Sequence, residues 1–341
     1  MMKMIKSILI TLTMLALSIT GFAQKTDSTS TAGKDSVNFP KRVVTAIADR
    51  FAVARPLNFE FAHAMPYNYS VKVGDDKVPG NKVTKFDQMK FSANVNFVKR
   101  KNWILGATLG YRGTSVEMEA VQSGTAETNI LKDDFHYFFS AVNLTYFSTL
   151  FKKRTFYSAT LLGDGSEKHF ERVKGIFTAT MLLKASQKTK ITVGMLLNVD
   201  PGAQTPFVPT FSYEHKFDNG LIADIVMPRS MYLRKFVFNN NGRVSLGMEL
   251  DQTILYLYNL GPANQKYEYR QIDINPGVVY DHAIGKYFLF TAKSGIRLTP
   301  DGRVFRKEDS FADPVYQISP RPTFYFNIGV SFNPFSVFGK K

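Results

Sequence analysis

The chain has 341 residues, no cysteine, one tryptophan beside 30 phenylalanines and 16 tyrosines, and a formal charge of +15. It therefore has no disulfide framework, and beyond its first two dozen residues no apolar run reaches the ~18–20 residues of a membrane-spanning helix. Such aromatic weight fills a large core or girdles a membrane, and such basicity admits nucleic acid, acidic lipid head groups or small anions as partners.

The opening stretch, MMKMIKSILITLTMLALSITGFAQ, has Lys3 and Lys6 before a short apolar core, Ser7 to Thr20, and small residues at Gly21 and Ala23. This pattern predicts a cleaved secretory signal over 1–23. Export argues against nucleic acid and leaves lipid head groups and small anions. Residues 24–54 read as a leader. Its first part, KTDSTSTAGKDSVN, is polar and flexible in composition. The following PKRVVTAIADRF spaces Val43, Val44, Ile47, Ala48 and Phe51 for a short amphipathic helix, or forms irregular chain leading into the first strand.

From Pro56 the period becomes two. KFSANVNFV sets Phe91, Ala93, Val95 and Phe97 against Lys90, Ser92, Asn94 and Asn96, and WILGATLGY, KITVGMLLNV, GRVSLGMEL and KYFLFTAKSGIRL alternate likewise. Strands are expected at 55–64, 84–98, 103–113, 135–148, 155–163, 174–184, 190–199, 206–217, 220–227, 231–238, 242–258, 267–282, 286–299 and 322–333. Most approach the ~9–11 residues of a tilted membrane strand. Long joins at 65–83, 114–134 and 300–321 alternate with tight ones such as KRKN, DN, NNN and AIG, as in a barrel with short periplasmic turns and longer outer loops. The join at 228–230 breaks the rhythm by being short where an outer loop is expected. Pro209 and Pro276 mark bulges or strand ends, and loss of one hairpin would leave twelve strands.

A soluble sandwich also needs alternating strands. Glycines on the mixed faces (Gly106, Gly110, Gly194, Gly247, Gly295, Gly329) and aromatics at strand ends favour a barrel in lipid. An open sheet edge in hydrocarbon would leave backbone groups unpaired at several kcal/mol each, so the sheet must close. The fold expected is all-β: a closed antiparallel up-and-down transmembrane β-barrel of about 14 strands over 55–333, followed by a tail at 334–341.

In the last strand, Asn327, Gly329 and Phe332 in NIGVSF resemble the C-terminal targeting signal of outer-membrane proteins, although Pro334 stands where a final aromatic usually ends such chains. With this strand, the leader and the loop rhythm, the chain resembles Gram-negative outer-membrane β-barrels, and more narrowly the uncharacterised barrels abundant in Bacteroidota. The resemblance implies the outer membrane as location, with its lipids and the barrel-insertion machinery as partners.

Chemical motifs are sparse. The five histidines form no close-spaced metal pattern, and GDG at 163–165 is a turn with no phosphate-loop continuation. Asp133, Asp134 and His136 could hold an ion but read better as a loop edge. His63 with Ser70, or His169 with Ser166, could be imagined as a lipid hydrolase, yet no GxSxG supports it. No catalytic, metal or cofactor site is assigned. Lys90, Arg112, Arg234, Glu249, Asp251, Asp273, Lys293 and Arg297 fall mainly on mixed faces, where lipid exposure would cost ~2–4 kcal/mol for each Arg or Lys at midplane. They are candidates to face a lumen. The function expected is a passive channel or small-solute transporter for a small polar or anionic solute. The alternatives are a structural or binding barrel plugged by its side chains or by 41–52, and a lipid-modifying enzyme.

Overall fold

The structure, a computed structural model, describes residues 34–74, 76–121, 128–200, 202–258, 265–334 and 338. The expected signal, the start of the leader and most of the tail lie outside these. The chain divides into two units, one up to Phe39 and one from Pro40. Of the first, only the opening of helix α1 (Lys34–Arg50) is described. No described helix is long and apolar enough to cross a membrane.

After α1 and a 3-10 turn at Ala52–Ala54 come sixteen strands: β1 (Leu57–Ala64), β2 (Tyr67–Val73), β3 (Asp76–Lys99), β4 (Trp103–Val121), β5 (Thr128–Leu150), β6 (Lys153–Gly165), β7 (Phe170–Ala185), β8 (Thr189–Val199), β9 (Phe207–Lys216), β10 (Leu221–Met227), β11 (Ser230–Val237), β12 (Gly242–Leu257), β13 (Tyr267–Ile284), β14 (Phe288–Arg306), β15 (Tyr316–Pro320) and β16 (Thr323–Phe332). Each neighbouring pair is antiparallel, and β1 pairs with both β3 and β16, so the sheet closes.

The sixteen segments make fourteen staves. β1 and β2 are one stave interrupted at Met65-Pro66, and β15 and β16 are one interrupted at Arg321-Pro322, because proline has no N–H for the ladder. Register survives both breaks. Leu57↔Phe332 through Ala64↔Tyr325 continues as Tyr69↔Pro320 through Lys72↔Gln317, bridged by Met65 N–H donating to Phe324 O and Arg321 N–H to Asn68 O. The twelve-strand alternative is thereby excluded.

The apolar faces point outward. On β16, Phe324, Ile328 and Val330 are exposed, while Thr323, Tyr325, Asn327 and Ser331 between them are buried. Leu161 is 62% exposed and Leu246 61%, whereas Arg243 is 4% and Asp281 4%. A water-soluble two-layer protein shows the reverse. Such an apolar outer belt over a charged interior is stable only in lipid, so this is a transmembrane barrel. At the lower rim, where the barrel starts at Leu57 and ends at Phe332, Trp103, Tyr146 and Tyr157 lie side by side across β4, β5 and β6. That is the place of an interfacial girdle.

Three joins expected as loops are largely strand. The β4–β5 ladder runs without a break from Trp103↔Tyr146 to Val121↔Thr128, and residues in 65–83 and 300–321 form β2, the start of β3, the end of β14 and β15. Above the belt both faces meet polar surroundings, so period-two hydropathy fades while backbone pairing continues. Pro209 and Pro276 likewise lie within β9 and β13 and keep their register partners Met195 and Met248. The nearby irregularity falls instead between Ile272 and Ile274.

The upper wall is uneven. β10 and β11 have 7 and 8 residues, against 16 in β12. The upper β12–β13 hairpin stays paired with β14 up to Tyr267↔Arg306, but beyond Glu249 it has no ladder to β11, and it reaches across the lumen to Gln88 and Asp164. Residues 267–271 are buried at every position, on both faces of the strand. Lower on the same hairpin, Gly247, Gly277 and Gly295 lie in a lateral row across β12, β13 and β14. A Cβ on Gly277 would run into the Ser294 carbonyl, and one on Gly295 into the Pro276 carbonyl. This close approach of backbones leaves no room for side chains along the row.

Candidate functional site

Alternation along each stave sends every second side chain into the lumen, and the interior ones are polar and paired. Lys90 on β3 donates to Asp251 on β12, and the Arg112 guanidinium lies 3.4 Å from the same carboxylate. Lys293 bonds Glu249 at 2.7 Å and approaches Glu60 at 3.9 Å. Asn58 and Asn327 donate to Glu60 at 2.9 and 2.8 Å. Arg234 pairs with Asp224 at 2.9 Å. Arg297 lies 3.9 Å from Asp273, bonds the Tyr67 hydroxyl at 3.1 Å and covers the Phe86 ring. All eight candidate charges are in the lining of one cavity. Of the strand signal, Asn327 and Gly329 face inward and Phe332 outward. An isolated buried ion costs several kcal/mol, which only partners and hydrogen bonds offset. These charges meet one another, so they seal space between them.

The lower lumen is filled by the segment preceding β1. Arg50 bonds Glu214 at 2.8 Å and Asp224 at 3.1 Å. Asp49 accepts from Arg243 at 2.9 Å, and Arg243 also holds Asp281 at 3.0 Å. The Arg55 guanidinium donates to Ala48 O and to Ser331, on the last strand, at 3.1 and 3.0 Å. Asn94 donates to the Val53 and Arg55 carbonyls. Arg50, Arg55, Arg243 and Asp281 are absent from the sequence candidates. The signal available was the charge pair Asp49-Arg50 ending an otherwise apolar helical face, with Arg55 five residues on.

The upper lumen is closed by the β12–β13 hairpin. One face packs Leu255, Tyr267 and Tyr269 against Val304, and Gln88 donates to Thr253 at 3.2 Å. From the other face, Tyr256 reaches across the barrel to Asp164, which also accepts from Tyr137 and Lys174 at 2.6 Å. Above them, Asp200 in the β8–β9 join holds Arg172 at 3.0 Å and Arg270 at 2.8 Å, and Glu268 holds Arg172 at 3.1 Å. Burial alone would raise the Asp200 pKa. Arg270, Lys174 and the Gly202 N–H outweigh it and hold the carboxyl below the ordinary range. A cavity of about 910 Å³ remains between plug and hairpin, lined by both.

The other candidates are not assembled into sites. His63 pairs with Asp87 at 2.6 Å and lies tilted against the Phe326 ring. Ser70 is opposite Ser319, on the other side of the Pro66 break. Ser166 and His169 close a tight turn, with Ser166 N–H donating to His169 O at 2.9 Å, and the Ser166 hydroxyl is engaged with Tyr258. Asp133 accepts from the Asp134 N–H, and His136 meets the Tyr111 hydroxyl at 2.9 Å. Among the described residues no group of three potential metal ligands converges.

No family model and no curated protein matches the chain. Among solved structures it is similar to the transport unit of the autotransporter AIDA-I from Escherichia coli (10% identity, 87% of this chain and 99% of that chain, TM-score 0.30). It is also similar to the outer membrane protease OmpT from Escherichia coli (9%, 81% and 96%, TM-score 0.25) and to an outer membrane channel from Pseudomonas putida F1 (8%, 81% and 95%, TM-score 0.26). Likeness at this level carries nothing about activity. The class, a closed fourteen-stave transmembrane barrel, rests on this chain's own ladders and outward apolar belt.

Proposed function

We propose that the protein is an outer-membrane conduit for small polar or anionic solutes whose lumen is shut at rest, with residues 48–55 as the plug at the periplasmic end. The finer placement, among Bacteroidota-type barrels, rests on sequence pattern alone. The observation that supports a shut conduit is the attachment of the plug. Asp49, Arg50 and Arg55 are held by side chains from β9, β10, β12, β13 and β16, an arrangement a mere linker to the first strand does not need. A wall of fourteen staves encloses a wide lumen unless something fills it, and here a segment anchored by the charges of Asp49, Arg50 and Arg55 occupies its lower part.

The test is conductance in planar bilayers. Full-length protein should conduct little, and a variant lacking 25–52 should conduct more, in intermittent openings, with the upper hairpin as the remaining barrier. A folded deletion variant that stays silent rejects the conduit and leaves the second reading, a sealed binding barrel. That reading draws on the upper hairpin, which closes the lumen independently of the plug. Either way the chain is proposed to be no enzyme: substituting His63 and His169 should leave membrane lipid profiles unchanged.

A further inference from the structure

The barrel wall is cut down at one place. β10 and β11, with 7 and 8 residues, fall short of the ~9–11 that a tilted strand needs to cross the hydrocarbon core. They are joined by Pro228-Arg229 alone. The β11–β12 ladder stops at Ser230↔Glu249, so above Leu250, whose N–H donates to Arg229 O, the β11-facing edge of β12 has no strand partner among the described residues. There the hairpin reaches across the lumen. The gap is flanked on its outward side by exposed Phe207 and Met227. The 910 Å³ cavity reaches it, since Ala203, Thr205, Val208, Pro228, Arg229 and Leu250 are all in the cavity lining.

The charge balance at this point is uneven. Around the middle of the lumen, Lys90, Arg112 and Lys293 are matched by Glu60, Glu249 and Asp251. Arg229 makes no salt bridge among the described residues, and the carboxylates Glu249, Asp251 and Glu60, already engaged by those cations, act on it only at longer range. Its guanidinium lies 4.1 Å from the Phe51 ring centroid of the plug, an interaction worth only ~0.5–2 kcal/mol and leaving its donor fork available for a carboxylate or phosphate.

We propose that the gap above the β10–β11 turn is a lateral portal through which an amphipathic anion, one acyl chain bearing a carboxylate or phosphate head, passes from the outer leaflet into the lumen, with its head group on Arg229 and its chain against Phe207 and Met227. This deepens the conduit reading by naming a ligand class, and it rests on the lumen being the working compartment. Because the head group meets Arg229 where that residue covers Phe51, the ligand reports to the plug.

The test uses the full chain in liposomes with a diazirine-bearing fatty acid as probe, its adducts mapped by mass spectrometry. Adducts should concentrate at 203–208 and 227–230. Arg229→Gln should cut labelling there at least fivefold, Arg229→Lys should retain most of it, and Lys188→Gln at a lower turn should change nothing. Excess dodecanoate or dodecyl phosphate should compete, the stronger competitor naming the head group, whereas dodecanol and inorganic phosphate should not. Adducts spread evenly around the belt, unchanged labelling in a folded Arg229→Gln barrel, or competition by inorganic phosphate equal to that of the lipids would each overturn the proposal. Conductance of the 25–52 deletion is a separate readout, so portal and conduit can fail independently.

Discussion

Leu246 points into lipid from β12, while Ser245 beside it is 3% exposed in the lumen. Neighbouring residues of one strand thus answer to opposite solvents. Leu246→Lys should destabilise the folded barrel by ~2–4 kcal/mol, as charge facing the bilayer core does, measured by urea unfolding in vesicles; a loss below 1 kcal/mol would contradict the outward belt. Asp200 obeys the other rule. It is a buried anion serving Arg172 and Arg270, and Asp200→Asn should cost roughly 3–5 kcal/mol by leaving cations unmet, seen as lost hydrogen-exchange protection at 267–273. Since the folded state holds its carboxyl below the ordinary range, its contribution is full above the unfolded carboxyl value and is lost progressively as pH falls from there through the lower folded one. The upper closure should therefore hold at pH 5 and loosen only in stronger acid; loosening between pH 7 and 5 would assign the closure to other groups.

At the scale of the element, the β12–β13 hairpin shows what sequence reading reaches and where it stops. Its lower half was legible, because Val244, Leu246, Met248 and Leu250 alternate with polar residues. Its upper half was legible as strand, at 242–258 and 267–282, but not as a segment crossing the lumen. YEYRQID at 267–273 also alternates, but a strand buried on both faces above a membrane looks in sequence like one with water on one side. The partners that bury it, Arg172, Asp200 and Asp164, come from distant staves. The glycines at 247 and 295 were legible as mixed-face positions, yet their lateral row with Gly277 emerges only from the register. Gly277→Val should press a side chain into the Ser294 carbonyl. The expected result is a barrel that still shows heat-shifted mobility in gels but loses exchange protection at 267–273, and unchanged protection there would separate the glycine row from the hairpin above it.

For the molecule as a whole, composition and period two specified the closed barrel, because lipid outside and the cost of unpaired backbone in it admit few other solutions. The lumen-facing charges could be named from their strand faces, but not their pairing, which depends on how far the wall collapses inward. The plug was legible only as a helical spacing and one alternative among several. One matter concerns assembly. Where the first and final staves meet, sliding one past the other by two residues would preserve every greasy and every wet side, so hydropathy cannot forbid that mistake. The contacts Asn58–Ser331, Glu60–Asn327 and Arg55–Ser331 can. They act as a key that fits at a single offset, so the seam of the cylinder is checked for correct closure from within.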